Sequence, residues 1–200
     1  MMTKSFAFAG ASLLAGVALA SAALAQAAAP AVTSGPPIPG MCIFSVNQAI
    51  ASSKVGQYER QRMEQIVAQV KAEISPEETA INNEGRTLEA SRATLNATTF
   101  QSRATALTTR VNALRQKADL RQREVKATED KALNRISQEL EPIASQLYQQ
   151  KRCSALIDKN AVMIANPEMD ITPQAVTALN AKIQQFTFDR EHLDTAAGAR

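Results

Sequence analysis

The stretch LIDKNAVMIANPEMDIT, residues 156–172, holds two apolar runs separated by Asp158-Lys159-Asn160, the second ending at Asn166-Pro167. Aliphatic runs on either side of a turn-forming triplet predict a β-hairpin, with strands over 154–157 and 161–164. Asp170-Ile171-Thr172-Pro173 then predicts a helix start, with Asp170 or Thr172 as cap and Pro173 in the first turn. The residues before this stretch are mostly helix formers, so one compact β element near the end of the chain needs an explanation.

Working outward, MCIFSV (41–46) predicts a short buried strand, and Asn47 can cap a helix beginning QAIASS. Lys54 and Gly56 mark a bend. From there Met63, Ile66, Val70, Ile74, Ile81, Leu88 and Leu95 form one narrow seam in steps of three, four and seven. Ser75-Pro76-Glu77-Glu78 interrupts it with a capping box and a proline, which predicts a kink or a restart. A second seam runs Phe100, Ala104, Leu107, Val111, Leu114, Ala118 and Val125. It slips in phase and resumes as Leu133, Ile136, Leu140, Ile143 and Leu147, with Pro142 expected to kink the helix. Asn96-Ala97-Thr98-Thr99 is the predicted reversal point, since these residues favour caps and turns. Each arm is then about 40–50 residues, roughly 60–75 Å long. Such an antiparallel hairpin is a rod that cannot bury a globular core alone.

Composition agrees with a rod. There is no Trp, and only two Tyr and six Phe, whereas a large core draws heavily on aromatics. Residues 1–25 have the grammar of a cleavable secretory signal: Lys4, an apolar stretch, and Ala23-Leu24-Ala25 as an A-x-A site. Its apolar core is about 15 residues, shorter than the ~20 that span a bilayer. Residues 26–40, rich in Ala and Pro, read as a flexible leader, and 184–200 as a tail expected to fray. Removing Lys4 lowers the formal charge from +3 to +2, too little to imply a nucleic-acid partner.

Catalytic chemistry has little to build on. His192 is the only histidine, and there is no nucleophile elbow, phosphate loop or dinucleotide fingerprint. Neither an enzyme activity nor a cofactor or metal is expected. Seven cations, Arg103, Arg110, Arg115, Lys117, Arg121, Arg123 and Lys126, face two acids over 103–126. They are either a solvated helix face or a surface for anionic or client partners. Cys42 and Cys153 each open a predicted strand. Parallel strands would bring them within bridging range, antiparallel strands would separate them. The helix after the first strand can carry the chain back and restore parallel pairing, so a disulfide is the candidate and two buried thiols the alternative.

The order of these elements resembles the Skp/OmpH family of periplasmic chaperones. MCIFSVNQAI, the long charged hairpin, and above all LIDKNAVMIANPEMDITPQAVTALN carry the resemblance, which spans about 41–183. The family implies a mainly α fold with a small β body: a helical hairpin tentacle (54–152, tip near 96–99) on a body from 41–53 and 153–183. Ile43, Phe44, Val46, Leu156, Ile157, Val162 and Ile164 map onto that assembly body. The resemblance further implies a homotrimer in the periplasm that holds unfolded outer-membrane proteins without ATP. Lipopolysaccharide or a membrane surface is a further partner on that basis. Ser75-Pro76, Pro142, the cysteine pair, the leader, the tail and the low net charge depart from the best-known members. The alternative function is a structural coiled-coil adaptor of an envelope secretion or efflux assembly.

Overall fold

A computed structural model of the chain describes residues 34–193. The expected signal peptide and most of the leader lie outside the described residues. Strand β1 (Met41–Phe44) leads into helix α1 (Val46–Ser52), then α2 (Lys54–Ala90) and α3 (Ala97–Gln150). Strand β2 (Ala155–Asp158) and helix α4 (Thr172–Lys182) follow, with single 3-10 turns at Lys159–Ala161 and Pro167–Met169. The chain is mainly α, a long hairpin on a small parallel sheet.

The first strand is shorter than its apolar run. Ser45, not Asn47, caps α1: its hydroxyl accepts the Gln48 N–H at 3.1 Å, so Val46 already lies in the helix. The Ser45 N–H meanwhile donates to the Thr172 hydroxyl at 3.0 Å, tying the start of α1 to the start of α4. One residue, Ser53, turns α1 into α2. Its buried hydroxyl donates to the Ile50 carbonyl at 2.7 Å and accepts the Gly56 N–H at 3.0 Å. Any Cβ at residue 56 would collide with the Ile50 carbonyl, so glycine is required by close approach rather than by an unusual φ.

The turn has a topological result. The chain comes back along β1 before the rod departs, so β2 pairs with β1 in parallel, Met41 opposite Ala155 and Phe44 opposite Asp158. At the other end of the rod, Arg152 takes a left-handed φ of 53°. The N–H groups of Arg152 and Cys153 then close on the Gln149 and Tyr148 carbonyls, a Schellman ending that aims Cys153 back at β1. Cys42 and Cys153 are joined as a disulfide, with Cα atoms 5.7 Å apart across a sequence separation of 111.

The expected hairpin over 154–164 does not form. Only its first run is a strand. Asp158 accepts the Asn160 N–H and starts a 3-10 turn, and 162–166 continue without a ladder. The second neighbour of β1 is instead residue 170: Ile43 bridges Asp170, and the Ile171 N–H donates to the Ile43 carbonyl at 2.9 Å. Helix α4 begins one residue later, with Pro173 in its first turn and the Asp170 carboxylate accepting the Thr172 N–H.

The helix does not restart at Ser75-Pro76: α2 runs through Pro76 and α3 through Pro142 without a break. Each proline leaves one carbonyl without its helical donor, that of Ala72 and that of Gln138. Both residues are exposed, so water can satisfy those carbonyls. The reversal occupies residues 91–96, and Asn96 caps α3 by accepting the Thr99 N–H.

The buried core sits at the base of the hairpin. Phe44, Ile50, Val55, Ile136, Leu140, Ile171 and Leu179 pack around the disulfide. Along the rod burial thins. Ile66 and Ile136 are fully enclosed, whereas Phe100, Leu107, Val111 and Leu114 are only half-buried. Removing the bridge with Cys42→Ser and Cys153→Ser together is expected to cost about 2–5 kcal/mol, given the length of loop it closes. Urea unfolding checks this: reductant should lower the midpoint of the native chain and leave that of the double variant unchanged.

Candidate assembly and client surfaces

The residues expected to form an assembly body divide into two groups. Ile43 and Phe44 are buried in the core of the chain itself, and Ile157 and Val162 are half-buried. Val46, Leu156 and Ile164 are exposed, at 44%, 40% and 73%, and Met163 beside Ile164 is fully exposed. Leu156 lies on β2, whose outer edge has no strand partner among the described residues. Val46 and Leu156 also line an open cleft of about 860 Å³ with Leu140, Ala144 and Tyr148 of α3. An unpaired edge strand with an exposed leucine, beside a cleft of mixed polar and apolar lining, is the kind of surface that proteins normally cover.

The seven cations of α3 do not form one open basic face. Four are engaged with acids: Arg110 with Glu84, Lys117 with Glu77 at 3.1 Å, Arg121 with Glu73 at 2.8 Å, and Lys126 with Glu129 and Asp130. The first three of these pairs cross from α3 to α2 and hold the arms in register. Arg103, Arg115 and Arg123 are exposed and make no ion pair among the described residues.

A third surface was not legible as a site. Where the α3 seam slips, the buried row is Glu124, Thr128, Ala132, Ile136 and Leu140, so two polar residues take positions an apolar seam would fill. They meet the tail, which does not fray over its described part. Residues 184–193 leave α4 and run back along α3 toward the hairpin. Phe186 packs on the core cluster and stacks with Phe188, ring centroids 5.1 Å apart. Arg190 reaches between the arms, 2.8 Å from Glu73 of α2 and 3.3 Å from Glu124 of α3. The hydrogen bond from Arg190, with help from Arg121, holds the Glu73 carboxyl below its usual range. Glu124, only 2% exposed, also accepts from Arg121 at 2.9 Å. Two signals in the sequence pointed here: the phase slip, and the spaced aromatics of Phe186-Thr187-Phe188.

A long antiparallel hairpin on a disulfide-closed α/β base defines a mainly α, hairpin-on-body protein. Residues 40–179 match the family described as outer membrane protein (OmpH-like), and the chain belongs to that family. It is also similar to a candidate outer membrane chaperone (OmpH-like) from Caulobacter crescentus CB15. The crystal structure of that protein is 47% identical with a TM-score of 0.71, and the match covers 82% of this chain and 96% of that one. No curated protein matches this chain at the same standard.

Glu59, on α2 near the hairpin base, is a buried acid at 4% exposure. Burial pushes its carboxyl above the usual range, and Glu129 pushes the same way against a smaller opposing effect of Arg60. The folded form therefore holds this proton more tightly than the unfolded chain, so its contribution to stability falls as pH rises through the folded value. Glu59→Gln is expected to raise the melting midpoint at neutral pH, with the gain shrinking as the pH falls and the acid takes up its proton. Thermal melts of both proteins across that range check the sign.

Proposed function

We propose that this chain is an ATP-independent holdase of the periplasm that binds unfolded outer-membrane proteins and keeps them from aggregating, acting as a homotrimer. Membership of the OmpH-like family supports a chaperone role in general. The observation that carries the finer reading is the rod itself. Its distal seam is half-buried, and long Arg, Lys and Gln side chains surround it, giving many weak and adaptable contacts for a client of no fixed shape. The disulfide suits an oxidising compartment, and the A-x-A segment near the N-terminus supports export.

The outward apolar surface of the base, Val46, Leu156, Met163 and Ile164, is the proposed contact between copies. Clients would then meet the hairpins, root included, rather than this face of the base. Because most of the α3 cations are neutralised in place, client capture is assigned to the seam, and anionic lipid to no more than Arg103, Arg115 and Arg123. No described residue belongs to an all-β flanking domain, which the adaptor reading would need. The test is dilution of a urea-unfolded outer-membrane β-barrel into buffer with this protein and no nucleotide. Light scattering is expected to stay near baseline at a slight excess of trimer. Aggregation at the rate of the client alone would overturn the proposal.

A further inference from the structure

We propose that the groove at the hairpin base is a binding site for unfolded polypeptide with aromatic side chains two residues apart, and that residues 184–193 occupy it in cis as a competitor. The manner in which this tail is held points there. It has neither helix nor ladder, yet it follows α3 from Glu139, the ion-pair partner of Lys182, to Glu124 beside Leu193. That is roughly 22 Å of helix at 1.5 Å per residue. Three hydrogen bonds join side chains of the rod to the tail backbone. Arg62 Nε donates to the Phe188 carbonyl at 3.2 Å, the Glu191 N–H donates to Thr128 Oγ1 at 2.9 Å, and the Leu193 N–H donates to Glu124 Oε1 at 3.2 Å. Contacts of this kind read a main chain, not a sequence.

The side chains add a coarse selectivity. Phe186 packs on the core cluster with Phe188 stacked on it, and Arg190 fills an acidic notch between Glu73 and Glu124. Asp189 pairs with Arg62, and Glu191 with Lys131 at 2.8 Å. The tail leaves the groove partly open: a cleft of about 930 Å³ remains, lined by Ala127, Lys131, Asn134 and Gln138 against Phe186 and Phe188. Larger apolar side chains at the two aromatic positions therefore have room. Strands of outer-membrane barrels alternate apolar and polar residues and carry aromatic girdles, so their unfolded segments present this pattern. That assignment of the ligand rests on the holdase reading above, whereas the groove and its occupant do not.

A tail tethered so closely sits at an effective concentration on the order of millimolar, so a micromolar peptide cannot displace it from the native chain. The experiment uses the full chain, a Phe186→Ser/Phe188→Ser variant, and Asp189→Arg, a surface change that sets the tail against Arg62 without opening a cavity. The probe is a fluorescein-labelled peptide of residues 184–193, read by anisotropy, with circular dichroism confirming that each variant is folded. Binding to either folded variant about tenfold or more tighter than to the native chain is expected, with no binding of the same peptide carrying Ser at both Phe positions. An unlabelled peptide from a barrel strand with alternating aromatics should displace the probe. Equal weak binding to native and variant chains would overturn the proposal, as would failure of the barrel peptide to displace. If the probe binds as expected while native protein fails to suppress barrel aggregation, the holdase reading falls and the groove stands.

Discussion

The structure depends on closing the base of a rod. Two arms leave and return across a separation of 111 residues, and everything useful about them requires their ends to meet in a fixed orientation. The parallel pairing of β1 with β2 and the Cys42–Cys153 bridge supply that closure. Neither would be possible without the turn at Ser53 and Gly56, where one hydroxyl satisfies both helix ends and the absent Cβ lets them touch. Without that reversal, the rod would return β2 antiparallel to β1 and carry Cys153 away from Cys42. With it, a small core forms around the bridge and fixes how the hairpin leaves.

From the base outward, hydrophobic burial gives way to polar contacts. Near the bridge, Ile136, Leu140 and Leu179 are enclosed, so apolar burial stabilises the structure there. Further out, the arms share a half-buried seam and ion pairs such as Lys117–Glu77, each of modest worth because water reaches it. A rod built this way is held firmly at one end and loosely along its length, which suits contact with unfolded chains. The buried Glu124 and the half-buried Arg190 mark the boundary between the two regimes. There the tail supplies the partner that an apolar seam would not have needed.

Much of this was legible in the sequence, and the failures have physical causes. The seams could be read because period alone decides which face is buried: Ile66, Ile81, Leu88, Ile136, Leu140 and Ile143 all lie inside. The resemblance rested on 156–180, a region where the apolar pattern is dense. The hairpin expectation failed in that same region, because Val162, Met163 and Ile164 have strand composition without a partner in their own chain. Composition cannot distinguish a residue that pairs within a chain from one left at its surface. The capping box at Ser75-Pro76-Glu77-Glu78 suggested a restart, but a long helix tolerates a proline when the orphaned carbonyl faces water. The cysteine pair stayed open because its geometry turned on a seven-residue helix, and the Ser45 cap was hidden inside an apolar run. The tail was hard to read for a different reason: the phase slip marks a break in the seam, but the partners Glu73, Glu124 and Thr128 are polar and distant in sequence, so the slip does not say what fills it.

The base of a single chain is therefore finished on one side and open on the other. Its inner residues are satisfied, while Val46, Leu156, Met163 and Ile164 present apolar surface beside an edge strand. The central claim is that copies of the chain cover this surface and leave the hairpins to the client. Sedimentation equilibrium of the mature protein tests it most directly. The account predicts a single species of three times the chain mass down to micromolar concentration, and a monomer throughout that range would contradict it.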